Sequence, residues 1–415
     1  MIQYSEFTLS NGLHVIHHED NATQLCALNV LYKVGSRNEN PSHTGFAHLF
    51  EHLMFGGSIN IEEFDTELQK AGGESNAFTS NDITNYYITL PANNIETGFW
   101  LESDRMLSLN FNQKSLDVQK GVVIEEFKER YLNQPYGDLW LKILPLVYKV
   151  HPYNWPTIGK SIEHIEKTNL EDVKSFFDNF YAASNAILVV AGNISLSETK
   201  RLCSKWFEPI PSRISNIPPY PQEPPQIEKR HLNVEADVPV DLLLKGYRMG
   251  GRLDPDYFAC DLLSDVLGSG RSSRLFNTLV KENSIFSEID TYISGDTDSG
   301  LFLIEGKLQK GISFQEAENA LDMQIKDLIT NGIAENELIK VINKTETNIL
   351  FGDVNILNRA MKLAFAKFLG DTELVNTEIE SYRKVTTREM QETAKAMFIE
   401  SNCSTIYYQA KNESK

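Results

Sequence analysis

The feature that most constrains the fold of this chain is a pattern that occurs twice. Residues 27–57 read ALNVLYKVGSRNENPSHTGFAHLFEHLMFGG, and residues 240–270 read VDLLLKGYRMGGRLDPDYFACDLLSDVLGSG. Each segment consists of an apolar run typical of a strand, a Gly-x-Arg turn, a proline, and an amphipathic helix that ends in glycines. Duplication explains this similarity most economically, and it predicts two homologous domains in tandem.

The length of the chain and its prolines agree with a division into two parts. A chain of 415 residues is long for one core and suits two domains of about 200 residues. Residues 207–230 hold seven of the fifteen prolines and little periodic hydrophobicity, which is typical of an extended linker. The predicted domains are therefore residues 1–208 and 229–415, joined by a Pro-rich linker at 209–228.

Within each predicted domain, strand patterns and long helical patterns occur in blocks rather than in regular β-α-β alternation. The helical patterns cover residues 62–71, 93–109, 115–131, 314–331 and 335–350, and the strands include LCALNVLYKV, NYYITLP, AILVVAG, VDLLLKGYRM, GLFLIEGKL and STIYYQA. This order predicts an α+β fold in which an antiparallel or mixed sheet is backed by helices.

Composition excludes several classes of function. The 57 acidic and 39 basic residues give a formal charge of −18, spread along the chain, which argues against nucleic-acid binding. No apolar run is long enough to cross a membrane and no signal peptide is visible at the N-terminus, so we expect a cytoplasmic protein that does not bind membranes. The four cysteines are far apart, so neither a disulfide framework nor a thiolate metal site is expected.

The helix in the first copy of the repeat carries the residues with the clearest chemistry. On a helical wheel His48, Glu51 and His52 share the face opposite the apolar stripe, and Ser42 or Thr44 is positioned to cap the helix. Two histidines four residues apart on one face can bind a single metal ion. The alternative is that this is only the solvated face of a surface helix. The second copy has Asp261 and Asp265 at the histidine positions, so it lacks this motif.

Zinc chemistry explains the spacing. Two imidazoles and a carboxylate hold Zn²⁺ with a fourth position open to water, whose pKa the metal lowers towards neutrality. Glu51 would then take the proton of that water as the general base.

The third ligand is sought in SLDVQKGVVIEEFKERY, where the wheel turns Glu126 inward beside Val122 and Val123, and Glu125 towards solvent. The alternative is that the carboxylates of this segment are all ordinary surface groups. Two histidines and a carboxylate also bind Fe(II) in oxygenases, but Glu51 would have no task there.

Four segments resemble the zinc peptidases with the inverted His-x-x-Glu-His motif, the family of pitrilysin, insulin-degrading enzyme and the mitochondrial processing peptidase, in its short bacterial form. They are GFAHLFEHLMFGGS, AGGESNAFTSNDITNYYITLP, VVIEEF and GSGRSSRLFNTL. The resemblance implies one Zn²⁺ per chain on His48, His52 and Glu126, with Glu51 as the base. It also implies that Asn76, Ala77 and Phe78 bind the backbone of a peptide substrate by strand addition, and that the two domains form half of a clamshell.

The sequence departs from that family at two places. Members usually carry a glutamate seven residues before the metal glutamate, where this chain has Gln119, a neutral group that can still form hydrogen bonds around the metal ligands. An arginine and a tyrosine that grip the substrate in the family are replaced by Val280 and Ser287.

Because the metal motif is intact and the gripping pair is missing, we expect the catalytic subunit of a dimer. The family forms homodimers and heterodimers, so the partner is a second copy or a homologous subunit without zinc. The alternative within the same family is a non-catalytic structural or presenting subunit.

Overall fold

The structure is a computed structural model that describes residues 1–213 and 219–411. Residues 214–218 of the predicted linker therefore lie outside the described residues. The described chain contains two β-sheets with helices packed against them, so the predicted α+β class is confirmed. None of its helices combines the length and the apolar character that crossing a bilayer requires.

The two sheets have the same strand order apart from one additional edge strand in the first. Their strands are β1 (Ser5–Thr8), β2 (His14–Glu19), β3 (Leu25–Tyr32), β4 (Glu74–Thr79), β5 (Thr84–Pro91), β6 (Ala186–Gly192), β7 (Arg230–Ala236), β8 (Leu242–Arg248), β9 (Phe286–Ile293), β10 (Leu301–Leu308) and β11 (Cys403–Ala410). The orders are β1-β2-β6-β3-β5-β4 and β7-β11-β8-β10-β9. In each sheet one pair is parallel, β2 with β6 and β7 with β11, and the other pairs are antiparallel. This repeated topology is what duplication of one ancestral unit would produce.

Fourteen α-helices lie between the strands in the described residues. They are α1 (Phe46–Leu53), α2 (Phe64–Lys70), α3 (Ile95–Leu107), α4 (Gln113–Phe127), α5 (Leu139–Val147), α6 (Ile162–Lys167), α7 (Leu170–Phe180), α8 (Leu196–Trp206), α9 (Tyr257–Leu267), α10 (Phe314–Asn331), α11 (Glu335–Gly352), α12 (Ile356–Phe368), α13 (Leu374–Lys384) and α14 (Thr387–Met397). Short π-helical segments lie at Lys128–Leu132 and Phe276–Glu282. The described residues also contain 3-10 helices at Ser36–Asn38, Ala92–Asn94, Pro152–Asn154, Ala183–Asn185 and Glu400–Asn402. The helix α1 follows β3 just as α9 follows β8, so the two copies of the repeat adopt equivalent positions.

The compact units of the structure are not two contiguous halves of the chain. Unit 1 contains residues 1–129, 155–221 and 350–377, and unit 2 contains 130–154, 222–349 and 378 onward. The division therefore differs from the predicted domains 1–208 and 229–415, because each unit includes one segment from the other half of the sequence.

Packing explains this exchange of segments. In unit 1, Ile356, Ala360 and Leu363 of α12 are buried against the sheet, in one cluster with Ile16 and Val189. In unit 2, the apolar face of α5 is buried against the second sheet in the same way, with Leu139, Ile143 and Leu144 packed among Leu242, Leu244 and Ile406. Burying these faces stabilises each unit by roughly 25 cal/mol per Å² of apolar surface. Each of these two helices therefore belongs to the unit whose sheet it covers, although it lies in the other half of the sequence.

Candidate metal centre

The helix α1 begins at a glycine that no other residue replaces easily. Gly45 is the N-cap with φ 85°, a left-handed conformation that L side chains rarely adopt. A Cβ atom at this position would also overlap the carbonyl oxygen of Ile158. Gly45 therefore allows the chain to turn sharply into α1 while the segment around Ile158 packs against it.

A buried carboxylate, rather than a local hydroxyl, satisfies the start of α1. Glu39 Oε2 accepts a hydrogen bond from the Gly45 N–H at 2.9 Å, and Oε1 accepts one from the Ala47 N–H at 2.8 Å. Trp155 Nε1 donates to Oε2 at 3.0 Å. Burial raises the pKa of Glu39 to about 8, and these N–H donors oppose the rise. Sequence reasoning missed Glu39, because it is separated from the helix by a loop and leaves no periodic signal.

The capping predicted for α1 is therefore wrong. The N-cap position is occupied by Gly45, which has no side chain to bond to the helix, and not by Ser42 or Thr44. Instead, Thr44 Oγ1 lies 2.8 Å from His164 Nδ1 and accepts a hydrogen bond from the Lys160 N–H, also at 2.8 Å. The helix ends at Leu53, three residues before the glycines of the motif.

The two faces of α1 separate as the helical wheel predicts. Leu49 and Phe50 are fully buried in the core. His48 and His52 lie on the other face, with their rings 4.8 Å apart and perpendicular. The exposed fractions of their side chains are 13% and 25%, so the two imidazoles are shielded but still reach solvent.

The helix α4 brings a carboxylate to these two rings. Glu126 Oε2 lies 3.6 Å from His48 Nε2 and 3.4 Å from His52 Nε2. The neighbouring Glu125 turns to solvent and pairs with Lys128 at 2.7 Å. Val123 is fully buried, as predicted, but Val122 is exposed, because the inward face of α4 is narrower than the wheel indicates.

The spacing of these three side chains fits a small tetrahedral ion. Two ligand atoms that each lie about 2.0–2.1 Å from a tetrahedral Zn²⁺ are separated by about 3.3–3.5 Å, and the two imidazole–carboxylate distances are 3.4 and 3.6 Å. One donor atom from each of His48, His52 and Glu126 falls within 4.8 Å of the others, and no other cluster of this kind occurs in the residues that the structure describes. Imidazole and carboxylate are among the groups that bind Zn²⁺ in proteins.

Glu51 lies on the same helix and bonds to the strand β4. Its Oε2 accepts a hydrogen bond from Thr79 Oγ1 at 2.5 Å. The Glu51 charge contributes to the raised pKa of the buried phenols of Tyr86 and Tyr181, although burial is the main cause. Glu51 thus shares a helix with two of the three candidate ligands. Thr79 occurs in a motif that the sequence singled out, but it had no assigned role.

The predicted substrate-binding residues lie on a sheet edge. Asn76, Ala77 and Phe78 belong to β4, which is the last strand of its sheet and pairs only with β5 among the described residues. Asn76 Oδ1 accepts a hydrogen bond from the Ala77 N–H at 2.8 Å, and Phe78 is 41% exposed. An edge of this kind can accept an extended peptide as an additional strand.

The residues that depart from the family pattern are placed as follows. Gln119 is half-buried on α4, two helical turns before Glu126. In unit 2, Val280 packs against the apolar core, and Ser287 on β9 donates its hydroxyl to the Lys307 carbonyl at 3.2 Å. Val280 is apolar, so it cannot supply the charge that an arginine would bring to a substrate.

The second copy of the motif forms different contacts. On α9, Asp261 accepts a hydrogen bond from the Tyr382 hydroxyl at 2.5 Å, and Asp265 pairs with Lys344 of α11 at 2.8 Å. An ammonium group thus neutralises a carboxylate at the position where the first copy has a histidine. The second copy thus uses its two carboxylates for contacts within unit 2.

Taken together, the tandem α+β units and the His-x-x-Glu-His helix define the class of zinc peptidases with the inverted motif. Residues 14–139 match the family described as Insulinase (Peptidase family M16), and residues 167–345 match Peptidase M16 inactive domain. The chain belongs to peptidase family M16, as the motifs of its sequence predicted.

Individual members support this assignment. The chain is 33% identical over 345 residues to the zinc protease PqqE of Helicobacter pylori, covering 82% of this chain and 78% of that protein. A crystal structure of a protease from Helicobacter pylori superimposes with a TM-score of 0.93 at 28% identity, covering 99% of this chain and all of the other. The mitochondrial-processing peptidase subunit beta of Caenorhabditis elegans is 28% identical over 203 residues, which are 48% of this chain and 43% of that subunit. The family is therefore one of zinc-protease-like proteins.

Proposed function

We propose that this protein is a zinc metalloendopeptidase that hydrolyses peptides or unfolded polypeptides. One observation carries the proposal: donor atoms of His48, His52 and Glu126 lie at the spacing of zinc ligands, and the Glu51 carboxylate stands on the same helix face. The names of the similar zinc proteases support the choice of metal. Fe(II) would fit the same three ligands, but an oxygenase gives Glu51 no role.

Three of these residues would bind the metal, and the fourth would transfer protons. His48, His52 and Glu126 would hold one Zn²⁺, which supplies a Lewis acid and makes a water molecule acidic near neutral pH. Glu51 would accept a proton from that water and later deliver it to the amine that leaves. Gln119 would contribute only neutral hydrogen bonding around the ligands, where most family members have a charge.

The substrate would bind to the open edge of β4. An extended peptide could pair with the strand at Asn76, Ala77 and Phe78, and main-chain hydrogen bonds would hold it with little regard to sequence. Asn76 now bonds to the Ala77 N–H, so a substrate carbonyl would compete for that donor. A short or unfolded chain supplies such an extended strand readily, which favours substrates of that kind in an enclosed chamber.

A partner chain would complete the enzyme. Val280 and Ser287 replace the arginine and tyrosine that the family uses to grip a substrate, and a subunit beta is among the similar proteins. A homologous subunit without zinc, or a second copy of this chain, would supply the missing contacts. We propose a cytoplasmic location for this dimer, without nucleic acid or membrane as partners.

A second candidate is a non-catalytic presenting subunit of the same family. The loss of the gripping pair favours it, as does the match of residues 167–345 to a domain described as inactive. The intact set of His48, Glu51, His52 and Glu126 argues against it, because a presenting subunit needs neither the ligands nor the base.

The test is the cleavage of an unstructured peptide library by the zinc-loaded wild type and by Glu51→Gln. Each is assayed alone and with any co-encoded homologue that lacks the motif. Cleavage by the wild type, with loss of at least about a hundredfold in the variant, supports the proposal. The matched control is Glu125→Gln, which removes an exposed carboxylate of α4 and should leave the rate unchanged.

The outcomes separate the candidates. Cleavage that survives Glu51→Gln removes Glu51 from its role. A wild type that is inactive alone and with its partner identifies a presenting subunit. Equal rates with and without the partner contradict the dimer.

A further inference from the structure

A contact between the helix α1 and the edge strand β4 has no role in the function proposed so far. Thr79 is the last residue of β4, and its Oγ1 donates a hydrogen bond to Glu51 Oε2 at 2.5 Å. Hydrogen bonds to a charged acceptor are short and roughly twice as strong as neutral ones. The contact therefore helps to restrain the Glu51 side chain, whose three rotatable bonds allow many rotamers.

The alternation of side chains along β4 separates two tasks of this strand. Ser75, Ala77 and Thr79 are half-buried and share one face, whereas Glu74 and Phe78 are exposed on the other. The face that includes Thr79 is turned towards α1, as its bond to Glu51 requires. The main chain of the same strand forms the open edge of the sheet, so one short strand adjoins both the base and the proposed peptide.

The surroundings of Thr79 make its position rigid. Thr79 pairs across the ladder with Thr84 of β5, and Thr84 is fully buried and donates its hydroxyl to the Val34 carbonyl at 2.9 Å. The next aromatic residue of β5, Tyr86, is also fully buried, with its hydroxyl 3.4 Å from that of Tyr181. The bond to Glu51 thus starts from a fixed point of the sheet.

We propose that Thr79 is a positioning residue for the general base: its hydroxyl fixes Glu51 Oε2 and thereby orients the carboxylate for proton transfer. The proposal rests on the function proposed above for Glu51. With one oxygen held by β4, the carboxylate is kept close to the strand on which the peptide is proposed to bind. The residues proposed to bind the peptide, Asn76–Phe78, directly precede Thr79 on the same strand, so peptide and base would be positioned by one short segment.

The experiment compares Thr79→Val with Thr79→Ser in the zinc-loaded protein, under whichever condition, alone or with its partner, the wild type cleaves. Valine keeps the shape of the side chain and removes the hydroxyl, whereas serine keeps the hydroxyl. We expect Thr79→Val to lower kcat by roughly 10- to 100-fold, since positioning is part of the acid–base contribution. KM and the zinc content should remain within about threefold of the wild type, because neither ligands nor the strand edge change. Thr79→Ser should recover most of kcat.

A merely structural role predicts a different pattern. It would lower the unfolding midpoint and raise KM in both variants, without rescue by serine. Wild-type kcat in Thr79→Val overturns the proposal, as does an equal loss in both variants.

A second measurement does not depend on activity. In crystal structures of the metal-free protein, Glu51 should keep its rotamer in Thr79→Ser and leave it in Thr79→Val. An unchanged Glu51 rotamer in Thr79→Val overturns the positioning role. This test can be made even if the wild type proves inactive, which is the result that would refute the peptidase function itself. Loss of cleavage in Glu51→Gln with wild-type cleavage in Thr79→Val refutes only the present inference.

Discussion

Replacing Glu39 with alanine tests how the helix α1 is held in place. The carboxylate is buried and is six residues from the N-cap Gly45, so no local residue takes over its hydrogen bonds. The change removes both oxygens that accept from the N–H groups of Gly45 and Ala47. Trp155 keeps a partner, because its Nε1 also reaches the Ser36 carbonyl at 3.2 Å.

The magnitude follows from the two N–H groups that would lose their acceptor. Leaving one buried donor unsatisfied costs about 1–3 kcal/mol, so two give a loss of about 2–6 kcal/mol in the free energy of unfolding. The measured effects of helix N-caps, about 0.5–2 kcal/mol each, place the expectation in the lower half of that range. We therefore expect Glu39→Ala to destabilise the protein by about 3 kcal/mol.

The assay is urea unfolding followed by circular dichroism, with the slope of the transition required to match the wild type. Glu163→Ala is the control, because this glutamate lies in the first turn of α6 with its side chain 74% exposed, and such changes stay within about 0.5 kcal/mol. A loss below about 1 kcal/mol in Glu39→Ala would refute the capping account.

The remaining predictions concern pH and two glycines. The raised pKa of Glu39, about 8, means that the folded state keeps a proton that the unfolded state loses above its ordinary value near 4.5. The stability that this group contributes is therefore complete below about pH 4.5, and it falls by at most about 1.4 kcal/mol per pH unit as the pH rises to 8. The difference in the free energy of unfolding between the wild type and Glu39→Gln should show this slope, and a difference that does not change with pH contradicts it. Gly45→Ala should cost about 2 kcal/mol or more in thermal unfolding, through positive φ and overlap with Ile158. Gly121→Ala, in the interior of α4 with open space around the new methyl group, should gain about 0.5–1 kcal/mol; equal effects of the two changes would refute the argument.

Much of the site could be predicted because it depends on helical geometry. Successive residues of a helix are 100° apart, so the wheel alone turns Glu126 towards the core and Glu125 to solvent. It also groups the two histidines on one face. What the wheel could not give is the boundary of that face, and Val122 is exposed although it was expected to point inward.

The parts that escaped prediction depend on contacts distant in sequence. The helix α12 is amphipathic wherever it packs, and its periodicity does not say which of two similar sheets it covers. The cap of α1 comes from Glu39 across a loop, whereas local rules favour Ser42 or Thr44. The bond between Thr79 and Glu51 joins a strand to a helix, and no sequence pattern encodes such a pairing.

The central claim is that α1 and α4 together hold one zinc ion. The measurement is the zinc stoichiometry of the purified chain, by native mass spectrometry, for the wild type, Glu126→Gln and Glu125→Gln. We expect about one ion per chain in the wild type and in Glu125→Gln, and a loss of 10- to 100-fold or more in affinity for Glu126→Gln, since even outer-shell changes have that effect. Zinc retained at full affinity in Glu126→Gln, or lost in Glu125→Gln, would contradict the account.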